Sequence, residues 1–206
     1  DITIAQLREQ GYKGFYVAIG CQGGRLPGIP GESLEGTTTA IDFLHEANTG
    51  KKKITGKVVV VGGGNVAIDA ARVAKRSGAS EVTMLSLETE DIMPAAPHER
   101  AEAREDGVDI RPGWGPKEVL GKDKVEGISF KKCVSVFDDH HRFAPQYDEN
   151  EVITLDADLV VFAIGQTVIL KDLLKDTKVE FFRGVYPVAD KLTYQTAEPD
   201  IFVGGD

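Results

Sequence analysis

The sequence predicts an α/β fold in which a parallel sheet is combined with an antiparallel β crossover. Val58 to Val61 form a continuous apolar run, which is typical of a parallel strand covered on both faces. Three glycines and a helical stretch to about Ser77 follow, and Glu81 to Leu85 has the composition of the next strand. Strand, glycine turn, helix and strand within about 30 residues form a βαβ unit.

Further helices and strands are expected on both sides of this unit. Residues 15 to 19 form an apolar run closed by Gly20, which predicts a buried strand. Residues 37 to 48 carry apolar side chains at helical spacing, with threonines at the start that can cap a helix. Residues 97 to 105 predict a charged helix with a proline in its first turn.

The antiparallel crossover is predicted from the stretch between Val108 and Leu155, which shows little helical periodicity. Its strand-like pieces are Val108 to Ile110, Val125 to Phe130, Cys133 to Phe137 and Val152 to Leu155. The polar residues 138 to 141 between two such pieces predict a hairpin tip. Leu159 to Ile164 predicts another buried strand closed by Gly165, and strands are also expected at 185 to 188 and before Gly204.

Composition argues against several classes of function. The 206 residues carry a net charge of -9 and a pI near 5.0, which disfavours nucleic-acid binding, and the basic run at 51 to 53 is interpreted as a solvated linker. No apolar run approaches the roughly 20 residues that cross a bilayer, so membrane insertion is not expected. Two cysteines, Cys21 and Cys133, are too few for a disulfide framework, which predicts a cytoplasmic protein.

The strongest functional signal is Gly62-x-Gly64-x-x-Ala67 between the valine strand and its helix. In a Rossmann-like βαβ unit the first glycine permits a tight turn, the second lets the backbone approach a pyrophosphate, and the small third residue allows close packing. This context favours dinucleotide binding over a merely structural turn. Gly63, Asn65 and Val66 are expected to line the same turn.

Two further positions are candidates for nucleotide contacts. Asp69 either pairs with Arg72 within the helix or faces the ligand. An acid about 20 residues after the glycines binds the ribose 2′-hydroxyl of NAD, whereas a cation there accepts the 2′-phosphate of NADP. The segment Ser86-Leu87-Glu88 lies at this place without a cation nearby in sequence, and ordinary solvated acids are the alternative interpretation. Trp114 either packs at a sheet edge or stacks on a base.

Four ordered motifs resemble the glutamate synthase small (beta) subunit and its relatives. They are Gly62 to Arg72, Met93-Pro94-Ala95, Ala163-Ile164-Gly165-Gln166 and Phe202 to Asp206. The resemblance implies a flavoprotein in which an NAD(P) domain is inserted within a split FAD domain. It then assigns 1–35 to the end of the first FAD-domain segment and a linker, 36–165 to the NAD(P) domain, and 166–206 to the returning FAD-domain segment.

The same resemblance implies which residues meet the cofactors. Ala163, Ile164 and Gly165 close a strand beside the nucleotide site, and Gly205-Asp206 begins the return motif that binds FAD. Hydride would pass from the nicotinamide to FAD and on to iron-sulfur centres, a reaction that needs oriented rings rather than a side-chain acid or base. Many members carry two arginines where this chain has Leu87 and Glu88, so NAD(H) is expected to be preferred over NADP(H).

The sequence looks like a piece of a longer protein. It begins without methionine and ends directly after the last predicted strand, and the FAD fingerprint glycines and cluster cysteines are missing from it. FAD is therefore expected only in the full-length parent, and the fragment itself is expected to be inactive. The alternatives are a non-catalytic nucleotide-binding or scaffolding module and, with less support, a self-contained NAD-dependent dehydrogenase.

Overall fold

The computed structural model describes residues 2–50, 53–170 and 172–205 and divides the chain into two compact units. The larger unit spans residues 24–165, and the smaller unit is formed by the segments 1–23 and 166–206. Asp206, assigned above to a cofactor site, lies outside the described residues, as do Lys51 and Lys52 of the basic run.

The elements follow one another along the chain with these bounds. The helices are α1 (Ile4–Glu9), α2 (Ala40–Asn48), α3 (Asn65–Arg76) and α4 (Pro97–Glu105). The strands are β1 (Phe15–Val17), β2 (Gly23–Gly24), β3 (Thr37–Thr39), β4 (Lys57–Val61), β5 (Glu81–Ser86), β6 (Asp109–Pro112), β7 (Trp114–Leu120), β8 (Gly127–Phe137), β9 (Phe143–Asp156), β10 (Leu159–Phe162), β11 (Gln166–Thr167), β12 (Phe181–Phe182), β13 (Tyr186–Pro187) and β14 (Ile201–Val203).

A five-stranded parallel sheet in the order β3-β10-β4-β5-β6 forms the centre of the larger unit. From β4 the chain steps outward through β5 to β6, and then returns on the other side of β4 as β10. The strand order therefore reverses between β4 and β10. In open α/β sheets, ligands bind at the carboxyl ends of the strands beside such a reversal.

The valine run packs on both faces of this sheet, as its continuous apolar pattern predicts. Val58 and Val60 belong to the core formed with the helices, which includes the buried alanines of α3. Val59 and Val61 belong to a second core on the opposite face, which contains Phe130 of β8. Small alanine side chains let α3 lie close to the sheet. The predicted α/β class with a parallel sheet is confirmed.

The second core lies under a three-stranded antiparallel sheet in the order β7-β8-β9. This is the predicted crossover, and its hairpin tip is confirmed, because Asp138 accepts backbone N–H groups from His140 and Arg142 between β8 and β9. One detail was wrong: the piece at 108 to 110 does not join this sheet, since β6 pairs parallel with β5.

Local sequence explains where the helices start. Thr39 caps α2 by accepting the Asp42 N–H, and Pro97 occupies the first turn of α4 as expected. The sequence analysis missed α1, in which Thr3 and Gln6 form a capping box. Six residues are too few for helical periodicity to show.

The smaller unit has a core of its own. The parallel pair β1 and β14 packs with α1 through buried side chains that include Ile4, Phe15 and Ile201. Arg8 of α1 forms ion pairs with Glu198 and Asp200, at 2.9 and 2.7 Å. The helix is therefore tied to the loop that precedes β14.

The boundary between the compact units differs from the one expected at residues 35 and 36. The stretch before Gly36 is hydrogen-bonded to the antiparallel sheet of the larger unit: Val119 N–H donates to Pro30 O at 2.9 Å, and Val125 N–H donates to Glu35 O at 2.8 Å. Residues 24–35 consequently belong to the larger unit. Within the described residues, no helix is both long and apolar enough to cross a membrane.

We expect Phe130→Ala to lower the free energy of unfolding by about 3–5 kcal/mol, because Phe130 is fully buried between the two sheets and its loss leaves a cavity. Val134→Ala on the same strand is the control, since that side chain is 62% exposed, and should cost less than about 1 kcal/mol. Urea unfolding followed by circular dichroism measures both. Equal losses would contradict this account of the core.

Two arginines of α3 bind carboxylates of α4 and the residue after it. Arg72 forms ion pairs with Glu102 and Asp106, at 2.6 and 2.8 Å, and Arg76 lies 2.7 Å from Asp106. Hydrogen bonds from Arg72 and then Arg76 hold the pKa of Asp106 below its ordinary value. A depressed folded pKa stabilises the fold above the unfolded pKa of about 3.9, and this stabilisation is lost as the pH falls through the folded value.

The substitution Asp106→Asn should therefore destabilise the chain near pH 7, and the difference from the wild type should shrink as the pH falls from about 3.9 through the lower folded pKa, where the native carboxylate takes up a proton. Urea midpoints of both proteins across this range give the difference. A difference that is independent of pH would show that the ion pairs do not cause it.

Candidate functional site

The turn after β4 requires glycine at its first position. Gly62 has φ +148°, and its N–H donates to Leu85 O at 2.8 Å. A Cβ at this position would collide with the carbonyl oxygen of Ala163. Because Ala163 N–H in turn donates to Val61 O at 2.7 Å, the ends of β4 and β10 lie directly against each other here.

Gly64 meets a different requirement, since it is the N-cap of α3 and has ordinary extended backbone (φ −94°, ψ 176°). No side chain caps the helix, and no atom lies within 4 Å of the place where a Cβ would be. The first N–H groups of α3 carry the positive end of the helix dipole, and no side chain at the N-cap accepts a hydrogen bond from them. Such an end is suited to a phosphate group.

The start of α4 is fastened to the same turn. Ala95 N–H donates to Gly63 O at 2.9 Å, and Ala96 N–H donates to the Asn65 side-chain oxygen at 3.0 Å. This gives the Met93-Pro94-Ala95 motif a structural role that the sequence pattern did not reveal. The Asn65 side-chain oxygen thus holds the start of α4, and Val66 packs half-buried against the helical core.

The loop after β5 places one of its three candidate residues at the glycine turn. A Cβ at Gly63 would lie 2.5 Å from Glu88 Oε2, so the Glu88 carboxylate rests against this glycine. Ser86 is buried and donates its hydroxyl to Glu88 O at 3.0 Å. Leu87 packs toward Gly115 of β7. Ser86 and Leu87 therefore shape the loop, and Glu88 is the side chain that reaches the site.

Cations that are distant in sequence approach this loop in space. Arg100 and Arg104 of α4 pair with Glu90, at 3.1 and 2.7 Å. Lys132 Nζ lies 4.8 Å from the centre of the Trp114 ring and would be 3.4 Å from a Cβ at Gly113, whose N–H donates to Glu88 O. The sequence analysis, which counted only neighbouring residues, missed all three cations.

The charges of Glu88 and Lys132 also affect the pKa of the buried Cys133 thiol. Burial raises the pKa of Cys133, the negative charge of Glu88 raises it further, and the positive charge of Lys132 lowers it. Glu88 and Lys132 are therefore both close enough to Cys133 to shift its pKa, and they shift it in opposite directions. The Cys133 side chain is kept protonated and contributes packing rather than a nucleophile.

The remaining candidates are spread over three places. Ala163 to Gly165 follow β10 beside Gly62, and Gly165 (φ +126°) accepts the Arg25 N–H at 3.1 Å. Asp69 is exposed on α3, and of its two alternatives the pairing with Arg72 is not found in the described residues, where Arg72 binds Glu102 and Asp106 instead. In the smaller unit, a Cβ at Gly205 would lie 3.7 Å from Ala18 at the end of β1.

Comparison with known proteins identifies the family. Residues 3–206 match the family model described as pyridine nucleotide-disulphide oxidoreductase. The chain belongs to this family. A glutamate synthase [NADPH] small chain from Halomonas elongata is 32% identical over 222 aligned residues, which cover 100% of this chain and 47% of that protein. The resemblance inferred from the four motifs is thereby confirmed.

Other relatives extend the comparison. An NADP(+)-dependent formate dehydrogenase subunit beta from Moorella thermoacetica is 33% identical over 215 residues, covering 100% of this chain and 30% of that protein. The structure of Mycobacterium tuberculosis FprA in complex with NADPH has a TM-score of 0.73 at 20% identity and covers 99% of this chain and 60% of that one. The chain thus spans half or less of the curated relatives, and the solved structure supports the fold.

The expected preference for NAD(H) is contradicted by these relatives. Both curated proteins are named for NADPH or NADP(+). The expectation counted only charges that are close in sequence. In space, Glu90 pairs with Arg100 and Arg104 of α4, and Lys132 of β8 lies at the turn after β6. The absence of a double arginine after β5 therefore does not by itself describe the charge around this loop.

Two alanine substitutions should separate the roles of the first and third glycines of the turn. Gly62→Ala should lower the free energy of unfolding by about 1–3 kcal/mol, because its φ and the Ala163 carbonyl oppose any side chain. Gly64→Ala should change it by less than about 0.5 kcal/mol, since its backbone is ordinary and its Cβ meets open space. Thermal unfolding compares them, and similar melting temperatures would refute the distinction.

Proposed function

We propose that the larger unit is the NAD(P)H-binding domain of a longer flavin oxidoreductase. The observation that carries the proposal is the uncapped start of α3 at Gly64, placed where the strand order reverses and left open to a pyrophosphate. The domain comprises the expected residues 36–165, to which the hydrogen bonds of Pro30 and Glu35 add the stretch from residue 24.

Within this domain, Gly62, Gly63 and Gly64 bring the backbone to the pyrophosphate, and Glu88 lies beside the adenosine ribose. Ala163 to Gly165, at the end of the neighbouring strand β10, border the path of the dinucleotide toward its nicotinamide. No side chain is required to transfer a proton, because hydride transfer depends on the alignment of two rings. We take NADPH as the reductant, following the names of the two curated relatives.

The smaller unit is proposed to belong to an FAD domain. Gly204 N–H donates to Val17 O at 3.1 Å, and Gly205 lies against Ala18, so the return motif is next to the end of β1 in the first segment that the resemblance assigns to the FAD domain. FAD bound in the longer protein would supply the hydride acceptor, and iron-sulfur centres of the parent or its subunits would receive the electrons. The 206-residue chain is expected to show no turnover of its own.

Nucleotide binding by the 206-residue chain tests the proposal. Isothermal titration with NADPH should give saturable binding, and quenching of Trp114, the single tryptophan, provides a second signal. Gly64→Ala should weaken binding about tenfold or more, equivalent to about 1.4 kcal/mol, because its methyl group occupies the space that the pyrophosphate approaches. The melting temperature serves as the control for folding.

Absence of binding by the wild-type chain, or unchanged affinity in Gly64→Ala, would reject the assignment of this turn. A second measurement addresses the oxidoreductase function. The longer protein should show flavin absorbance that NADPH bleaches under anaerobic conditions. A longer protein that binds NADPH without flavin would instead be a non-catalytic nucleotide-binding module.

A further inference from the structure

Lys132 occupies an unusual position at the carboxyl edge of the parallel sheet. It lies on β8 of the antiparallel sheet, but its ammonium group reaches the turn after β6, where Trp114 and Gly113 surround it. The stacking of a lysine ammonium on an indole ring fixes the position of a charge that is otherwise mobile. A side chain from the crossover sheet is thus held at the rim of the nucleotide site.

The Lys132 ammonium differs from the neighbouring cations in having no carboxylate partner among the described residues. Lys131 pairs with Glu149 at 2.7 Å, Arg111 pairs with Asp109 at 2.7 Å, and both Arg100 and Arg104 pair with Glu90. No ion pair joins Glu88 to Lys132 within the described residues, and the Glu88 carboxylate lies against Gly63. Lys132 therefore provides positive charge that an anionic ligand can use.

Topology places this charge where the adenosine end of a dinucleotide would lie. The last residues of β5 and β6 pair with each other, Ser86 with Pro112, so the loops that follow these strands are adjacent. Glu88 connects the two loops and the glycine turn: its carboxylate touches Gly63, and its carbonyl accepts the Gly113 N–H at 2.9 Å. A dinucleotide whose pyrophosphate lies on α3 presents its ribose 2′ position above the loop after β5.

We propose that Lys132 is the residue that recognises the 2′-phosphate of NADPH, in place of the double arginine that this chain lacks after β5. The inference rests on the proposed function, and it adds a specificity-determining residue from a different sheet. A lysine acts here as a point charge, which suits a phosphate monoester. Trp114 and the Gly113 turn hold the ammonium in place, and Glu88 remains at the ribose beside Gly63.

The experiment compares two adjacent lysines in the 206-residue chain. Lys132→Gln should weaken binding of NADPH and of adenosine 2′,5′-bisphosphate about tenfold, while NADH affinity changes less than about twofold. Lys131→Gln is the matched control, because Lys131 is engaged by Glu149 and Tyr147, and it should leave both affinities unchanged. Lys132→Arg should retain the preference for the 2′-phosphate.

Ionic strength gives a second readout. Added salt should reduce the ratio of NADPH to NADH affinity in the wild type and have a smaller effect in Lys132→Gln, because the screened contact has already been removed. If the wild type binds neither nucleotide, both the proposed function and the role of Lys132 are rejected. If it binds NADPH and Lys132→Gln keeps the wild-type affinity ratio with an unchanged melting temperature, the inference alone is overturned.

Discussion

The contact between the Gly62 turn and the Ala163 carbonyl is the constraint on which the larger unit depends. It brings the carboxyl ends of β4 and β10 together at the point where the strand order reverses, and it leaves no room for any side chain at Gly62. Helix α3 begins directly after this turn, and its amino terminus has no side-chain cap because the N-cap residue is Gly64. The same turn also holds the start of α4 through Gly63 and Asn65. One backbone conformation thus sets the sheet order, two helix starts and the candidate site.

The antiparallel crossover contributes more than a cover for one face of the sheet. By packing Phe130 and its neighbours against Val59 and Val61, it replaces the helices that would otherwise bury this face. Strands β7 and β8 of the antiparallel sheet carry Trp114 and Lys132 to the end of the parallel sheet that they cover. As a result Trp114 and Lys132, which follow Glu88 by 26 and 44 positions in the sequence, lie close to the loops after β5 and β6.

Much of the fold follows from local patterns. The valine run, the glycine motif, the alanine stripe of α3 and the proline of α4 are short-range signals, and each reports burial or backbone conformation at its own position. The sequence analysis therefore located α2, α3, α4 and the central strands, and it anticipated an antiparallel crossover. It missed α1, which is too short for a periodic signal, and it misplaced the piece at 108 to 110, because strand composition does not specify the partner strand.

The candidate site shows the same division between local and long-range information. The sequence by itself determined that a tight glycine turn leads from β4 into α3 at Gly62 to Ala67, because steric limits on glycine and on close packing are properties of single positions. It could not determine the charge around the loop after β5, since electrostatic interactions depend on distance in space and the nearby cations arrive from α4 and β8. The tertiary structure decided that Glu88 faces Gly63, that Asn65 serves α4 and that Lys132 stands at the edge of the site.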